Sequence, residues 1–127
     1  MAKKLMTAQL NDLPPTVNHL YRTSQNGIRY KTTQGREWQN VTASIMAAAK
    51  INRKPYDGDV ALEIVFRTAD RRKWDIDNRV KALQDCLAMA EVIKNDRQIQ
   101  RLHVERQLWT QTATIITVLE LGEEAST

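Results

Sequence analysis

Cysteine and histidine are scarce in this sequence of 127 residues. Cys86 is the single cysteine, so the chain can form no internal disulfide and no cysteine-based zinc cluster. The two histidines, His19 and His103, lie 84 residues apart. A zinc site or a histidine-based nuclease needs more neighbouring ligands, so we expect neither. We expect Cys86 to be a buried structural thiol and His103 to lie on the surface.

Long apolar runs are also missing. No stretch approaches the roughly 20 apolar residues that span a bilayer, and no apolar segment follows the lysines near the first residue, as a secretory signal would require. We therefore expect a cytoplasmic protein with no membrane partner. Apolar residues make up 42% and charged residues 27% of the chain, which is ordinary for a globular protein and excludes general disorder. The length fits a single domain over residues 1–127.

The net charge of +4 is divided unevenly along the chain. Residues 1–54 carry nine basic and two acidic side chains, a net charge of +7. Residues 55–127 carry ten basic and thirteen acidic side chains, a net charge of −3. Such asymmetry is typical of a polyanion-binding surface beside a concentrated carboxylate site, although a solvated basic face would have the same composition.

Apolar periodicity predicts an α+β domain. Strands are predicted at 4–10, 59–67, 98–109 and 112–121, and helices at 36–53 and 77–90. The order β-α-β-α-β-β does not alternate strictly, and the last two strands are close enough for a hairpin. This favours two layers, with a mixed sheet of about four strands packed on two helices. The polar segment 18–36 is predicted to be a loop or irregular hairpin, and residues 1–4 and 122–127 to be frayed.

Four of these elements have a predicted apolar face. The faces of the two helices are Trp38, Val41, Ile45, Ala48 and Ala49 in the first, and Val80, Leu83, Leu87 and Ala90 in the second. The faces of two strands are Val60, Leu62, Ile64 and Phe66 in one, and Leu102, Val104 and Leu108 in the other.

Charged residues with possible chemistry are concentrated between Arg71 and Lys81. Asp75 and Asp77 are two residues apart, so in an extended segment leading into a helix their side chains point the same way. Lys81 follows one helical turn after Asp77. Asp96, in the turn after this helix, would approach the pair if the following strand lay beside the preceding one.

Converging carboxylates favour a cation between them. Two negative charges about 4 Å apart repel by roughly 4 kcal/mol at an effective dielectric near 20. Hard oxygen ligands favour Mg²⁺, with Mn²⁺ as a substitute, and such an ion can polarise a phosphodiester and activate water. Lys81 would stabilise the developing negative charge or orient the water. The run Arg71, Arg72 and Lys73 would bind the flanking phosphates.

A purely structural interpretation of these residues stays open at this point. Asp75 or Asp77 could cap the helix, and Lys81 could form an exposed pair with Asp77 or Asp85. Asp96 could belong to an ordinary turn. The basic loop that contains Arg22, Arg29 and Lys31, interleaved with Tyr21 and Tyr30, suits unpaired bases or a branched DNA arm, but could equally be a solvated loop.

Three segments together resemble the RusA family of Holliday-junction resolvases. The first is the basic run followed by Trp74-Asp75-Ile76-Asp77-Asn78 and Lys81, and the second is residues 92–99, with Asn95-Asp96 before Gln98-Ile99. The third is Pro14-Pro15-Thr16-Val17-Asn18 with Tyr21-Arg22 behind it. The resemblance covers about residues 5–121. Trp74 and Thr16 depart from the usual family residues, and we expect Trp74 to pack rather than to contact DNA.

The resemblance implies a function for these segments. Asp75, Asp77 and Asp96 match the family's metal-binding acidic residues, and Lys81 matches its catalytic lysine. The implied reaction is Mg²⁺-dependent hydrolysis of four-way junctions by a homodimer that makes paired nicks, in DNA recombination and repair, often in phages. Asn18, in the N-terminal segment, joins the predicted DNA contacts. A non-catalytic DNA-binding module and a nuclease for flaps or other branched DNA are the alternatives.

Overall fold

The computed structural model describes residues 3–71 and 73–121. Six strands, three α-helices and two short 3₁₀ helices form in this part of the chain. In chain order they are β1 (Lys4–Leu10), α1 (Val17–Leu20), β2 (Tyr21–Thr23), β3 (Arg29–Lys31), α2 (Thr33–Ala49), β4 (Val60–Thr68), a 3₁₀ helix (Ile76–Arg79), α3 (Val80–Met89), a second 3₁₀ helix (Asp96–Gln98), β5 (Ile99–Leu108) and β6 (Ala113–Glu120). No helix in these ranges has the length and apolar character needed to cross a membrane.

The main sheet has the strand order β1-β6-β4-β5. Strand β6 is antiparallel to both β1 and β4, whereas β5 is parallel to β4. One face of this mixed sheet packs against α2 and α3, which confirms the predicted two-layer α+β architecture. Strands β2 and β3 form the separate hairpin predicted within segment 18–36. The frayed end predicted at 122–127 lies outside the described residues, and β1 begins at Lys4, which pairs with Leu119.

The core confirms the predicted faces of β4 and α3. Val60, Leu62, Ile64 and Phe66 have no exposed surface, and the α3 face is equally buried. The α3 residues in this core are Val80, Leu83, Cys86 and Leu87. Burying each such side chain contributes about 1.5–3 kcal/mol. The β4 and α3 faces therefore fix the helix against the central strand.

The predicted hairpin of the last two strands is wrong, because β4 lies between β5 and β6. Strand β4 is apolar along nearly its whole length and is buried at most positions, which suits a central strand. Strand β5 is largely exposed and occupies the edge of the sheet. Of its predicted apolar face, Val104 is partly buried against the core, but Leu102 and Leu108 are 48% and 57% exposed. Helix α3 is thus the crossover between two parallel strands.

The predicted apolar face of α2 is wrong at its centre, although Trp38 and Ala49 at its two ends are partly buried against the core. Val41 is 62% exposed, Ile45 and Ala48 are exposed, and the buried side chains come from the neighbouring face of the helix. That buried face comprises Gly35, Gln39, Thr42, Ala43 and Met46. A Cβ atom at position 35 would lie 2.9 Å from Cδ1 of Leu20, so glycine permits α1 to approach α2 there. The helix also ends at Ala49 rather than at residue 53.

Candidate active site

The two aspartates before α3, Asp75 and Asp77, are exposed. Asp75 occupies the N-cap position of the 3₁₀ helix, but its side chain makes no capping hydrogen bond. Asp77 lies in the first turn of that helix, and α3 itself follows Arg79 without a side-chain cap. Among the described residues, neither carboxylate has a hydrogen-bond or ion-pair partner. The structure thus contradicts the capping alternative and leaves both carboxylates free to bind a ligand.

Trp74 anchors the segment that presents these aspartates. Its ring packs edge-to-face against Phe66 of β4, with centroids 5.4 Å apart. The guanidinium groups of Arg79 and Arg106 lie 4.9 and 5.4 Å from the Trp74 ring centroid. Arg79 also donates a hydrogen bond to the carbonyl of Pro14. The expected packing role of Trp74 is confirmed, and the anchored ring holds the start of the segment against the sheet.

Lys81 lies between two carboxylates. Its Nζ atom is 3.0 Å from Oδ1 of Asp85, one turn along α3, and 3.6 Å from Oδ2 of Asp96. The Lys81 side chain is 43% exposed, so the ammonium group is held in place and still open to a ligand. The alternative of a simple helical pair with Asp85 is therefore incomplete, because the same ammonium also reaches the turn before β5.

Asp85 connects Lys81 to the N-terminal hairpin. Its Oδ2 atom is 3.5 Å from Nζ of Lys31 and accepts hydrogen bonds from Tyr21 and Gln39, each at 3.4 Å. Gln39 is 1% exposed and donates a second hydrogen bond, of 3.1 Å, to the carbonyl of Ala82. Sequence reasoning mentioned Asp85 only as a possible surface partner. The feature of the sequence that could have indicated these contacts is the position of Asp85 one helical turn after Lys81.

The electrostatics of this network favour its charged forms. The hydrogen bond with Asp85 raises the pKa of Lys81, against a smaller opposing effect of burial and with help from the charges of Asp85 and Asp96. Burial alone would raise the pKa of Asp85, but the hydrogen bond from Lys81 and the charges of Lys81 and Lys31 outweigh it and lower that pKa. At neutral pH the Lys81 ammonium and the Asp85 carboxylate are therefore both ionised.

Asp96 faces the network because of the turn that contains it. Asn95, rather than Asp96, caps the second 3₁₀ helix: its side chain accepts a hydrogen bond from the Arg97 N–H, at 2.9 Å. The side chain of Gln98 completes a capping box by accepting a hydrogen bond from the backbone N–H of Asn95. The carboxylate of Asp96 is left for Lys81. The condition set by the sequence, a following strand beside the preceding one, is met by the parallel pairing of β4 with β5.

The three candidate metal ligands are nevertheless not gathered around one point. Within 3–71 and 73–121, no three Asp, Glu, His or Cys side chains are grouped closely enough to hold a metal ion. Asp75 and Asp77 precede α3, and Asp96 follows it. The group that reaches Asp96 is the ammonium of Lys81 rather than another carboxylate. The carboxylate donors suit Mg²⁺, but the arrangement within one chain does not form a three-ligand site.

The residues predicted to contact DNA lie in three different surroundings. Asn18, Arg22 and Arg29 line a polar groove of about 430 Å³, in which the Arg29 guanidinium lies 4.2 Å from the Tyr21 ring centroid. Lys31, from the same hairpin, instead points toward Asp85 and Gln39. Two basic residues of the other segment, Arg71 and Lys73, are exposed. Arg72 lies outside the described residues.

Two negative expectations agree with the structure. Cys86 has no exposed surface, and burial raises its pKa to about 12, so it is the expected structural thiol rather than a nucleophile. His103 is exposed on β5, where its ring lies 3.4 Å from Glu105. The Cys86 thiol lies behind the network and donates a hydrogen bond to the carbonyl of Gln39, at 3.6 Å.

Two comparisons with known proteins show what this chain is similar to. A family model described as endodeoxyribonuclease RusA matches residues 12–119, a range that contains all the candidate catalytic and DNA-binding residues. The crossover junction endodeoxyribonuclease RusA of Aquifex aeolicus (strain VF5) is 28% identical over 99 residues, which cover 78% of each chain.

Proposed function

The chain belongs to the endodeoxyribonuclease RusA family, and from this premise we propose that it resolves four-way DNA junctions by hydrolysing phosphodiesters in paired, symmetric positions. The printed name of the Aquifex aeolicus relative, a crossover junction endodeoxyribonuclease, supports this substrate. The observation that carries the proposal is the pair of exposed carboxylates, Asp75 and Asp77, which are free of structural contacts among the described residues and are presented just before the helix that contains Lys81.

Asp75 and Asp77 are the residues that would hold Mg²⁺, or Mn²⁺ in its place. Both offer hard oxygen donors on an exposed segment, which these ions prefer. A divalent ion supplies polarisation of a phosphodiester and a more acidic water. Asp96 would join this pair only after a rearrangement on DNA binding or from a second copy of the chain, because its carboxylate lies against Lys81 within one chain.

Lys81 would act on the phosphate. Its ammonium is charged at neutral pH and 43% exposed, so it can contact a phosphate oxygen and stabilise the charge that develops there, or orient the attacking water. Asp85 and Asp96 fix the position of Nζ without neutralising it by proton transfer. In this proposal Lys81 therefore acts as a positive charge at a fixed position and not as a general base.

The basic residues would bind the branched DNA. Arg22, Arg29 and Asn18 line one groove, and the exposed Arg71 and Lys73 flank the aspartates. Guanidinium and ammonium groups bind phosphates largely without regard to sequence, so this surface accounts for affinity rather than base preference. Two matched cuts require two active sites, which is the reason we propose a homodimer.

One cleavage assay separates this function from its alternatives. Synthetic four-way junctions, three-way junctions, flaps and linear duplex should each be incubated with Mg²⁺ and with a chelator. We expect cutting of the four-way junction in Mg²⁺ alone, at symmetric positions on opposed strands. Preferred cutting of flaps would indicate a different branched-DNA nuclease. Binding without cutting of any substrate would indicate a DNA-binding module and contradict the proposal.

A further inference from the structure

Asp85 is more firmly held than an ordinary surface carboxylate. Its side chain is 17% exposed, and both oxygen atoms are engaged. Oδ1 lies 3.0 Å from Nζ of Lys81, and Oδ2 faces Lys31, Tyr21 and Gln39. These partners come from β2, β3 and α2, so elements distant in sequence converge on one carboxylate of α3.

This convergence distinguishes Asp85 from an isolated helical pair. An exposed pair four residues apart contributes little to stability, because two mobile side chains must be ordered to form it. Here the Asp85 carboxylate is already ordered by Gln39, whose amide is buried and bonded to Ala82 and Lys31. The ammonium of Lys81 therefore meets an acceptor whose position does not depend on Lys81.

The contact of Lys81 with Asp96 depends on where Asp85 holds the Lys81 ammonium. With Nζ held at 3.0 Å from Asp85, the same atom lies 3.6 Å from Asp96, across a groove that both aspartates line. Without Asp85, the long lysine side chain could adopt several rotamers and leave this position. Displacing a catalytic group by about 1 Å can cost about 100-fold in rate.

We propose that Asp85 is the positioning residue for Lys81: it holds the ammonium at the place where the proposed cleavage reaction needs a positive charge. Asp85 touches neither DNA nor metal in this role and acts through Lys81 alone. The inference rests on the proposed function, in which Lys81 contacts the scissile phosphate.

The test compares Asp85→Asn with Glu37→Gln, which removes one negative charge from an exposed position of α2. For Asp85→Asn we expect kcat on a four-way junction to fall by about 10- to 100-fold, the range set by a misplacement near 1 Å, with KM and the junction Kd within about twofold of the parent. Asp85→Glu, which keeps the carboxylate, should recover part of the loss. Glu37→Gln should cut at the parent rate.

A double-mutant cycle decides between positioning and general structural support. Adding Asp85→Asn to Lys81→Ala should cause no further loss, because there is then no ammonium to position. A further loss of similar size, or a parent-like kcat in Asp85→Asn, would overturn the inference. If Asp85→Asn does not fold, Asp85→Ser, which also lacks the carboxylate, takes its place in the cycle, with the same two outcomes.

The same experiments distinguish failure of the inference from failure of the proposed function. If the parent protein cuts no branched DNA, the function itself is wrong. If the parent cuts and Lys81→Ala does not, while folded Asp85 variants cut normally, the function stands and the positioning role is wrong.

Discussion

The aspartates around α3 form two pairs with opposite surroundings. Asp75 and Asp77 precede the helix, are exposed, and have no side-chain partner in the described part of the chain. Asp85 and Asp96 both lie against the ammonium of Lys81. The side chains are chemically identical, so the different roles proposed for them rest on their surroundings. An unpaired carboxylate can bind an external cation, whereas a paired carboxylate orients the residue that it contacts.

Removing divalent metal should have the largest effect and should act through the unpaired aspartates. We expect a chelator to reduce cutting of a four-way junction by at least about 100-fold, because a bound cation supplies several kcal/mol of transition-state stabilisation. Junction binding, measured by gel shift, should persist, since the basic groove supports it. Added Mg²⁺ should restore cutting. Undiminished cutting in the chelator would contradict a metal-dependent reaction.

Replacing Lys81, whose ammonium lies between Asp85 and Asp96, should have the next largest effect. Lys81→Ala is expected to lower kcat by about 10²-fold, the usual size for the loss of one group that stabilises developing negative charge. The junction Kd should change little, because other basic residues make most phosphate contacts. Single-turnover cleavage at saturating enzyme measures this rate. A variant that cuts as fast as the parent would show Lys81 to be only a structural partner of Asp85.

The DNA-binding surface can be separated from both aspartate pairs by its response to salt. The logarithm of the junction binding constant should fall steeply with the logarithm of salt concentration, because bound phosphates release counterions. Arg29→Ala should make this slope shallower by about 1. Arg53→Ala, which removes an exposed charge outside the groove, should leave it unchanged. Equal slopes for parent and Arg29→Ala would remove Arg29 from the binding surface.

The contribution of Asp85 to stability should depend on pH. The pKa of Asp85 lies below its ordinary value of 3.8, so its ionised form stabilises the fold above about pH 4. That contribution is lost as the pH falls through the lowered pKa. The Tm of Asp85→Asn should therefore lie below that of the parent at neutral pH, and the gap should narrow toward pH 3. A gap that stays constant with pH would contradict this linkage.

Much of the fold follows from local sequence patterns. The strict alternation of Val60, Leu62, Ile64 and Phe66 predicted β4, and the spacing of Val80 and its successors predicted α3. Both patterns succeed because one apolar face meets one core. The candidate aspartates and Lys81 were identifiable because they are concentrated beside these two elements.

The failures arise where burial does not follow hydrophobicity. Gln39 is buried on α2 because Ala82, Lys31 and Asp85 satisfy its amide, and no apolar pattern reveals a polar side chain with such partners. This is the reason that the wrong face of α2 was predicted and that the larger role of Asp85 was missed. The predicted strand order was wrong for a different reason. Proximity in sequence suggested a β5–β6 hairpin, but the apolar strand β4 lies between β5 and β6 and pairs with both.

The most direct test of the account is single-turnover cleavage of a four-way junction by Asp75→Asn and Asp77→Asn, beside Asp57→Asn as the control. Asp57 is also exposed, and its side chain pairs with Lys94 rather than with any candidate catalytic residue. The account predicts that both site variants fold and bind the junction at least as tightly as the parent but do not cut it, and that the control cuts normally. Parent-like cutting by either site variant would contradict it.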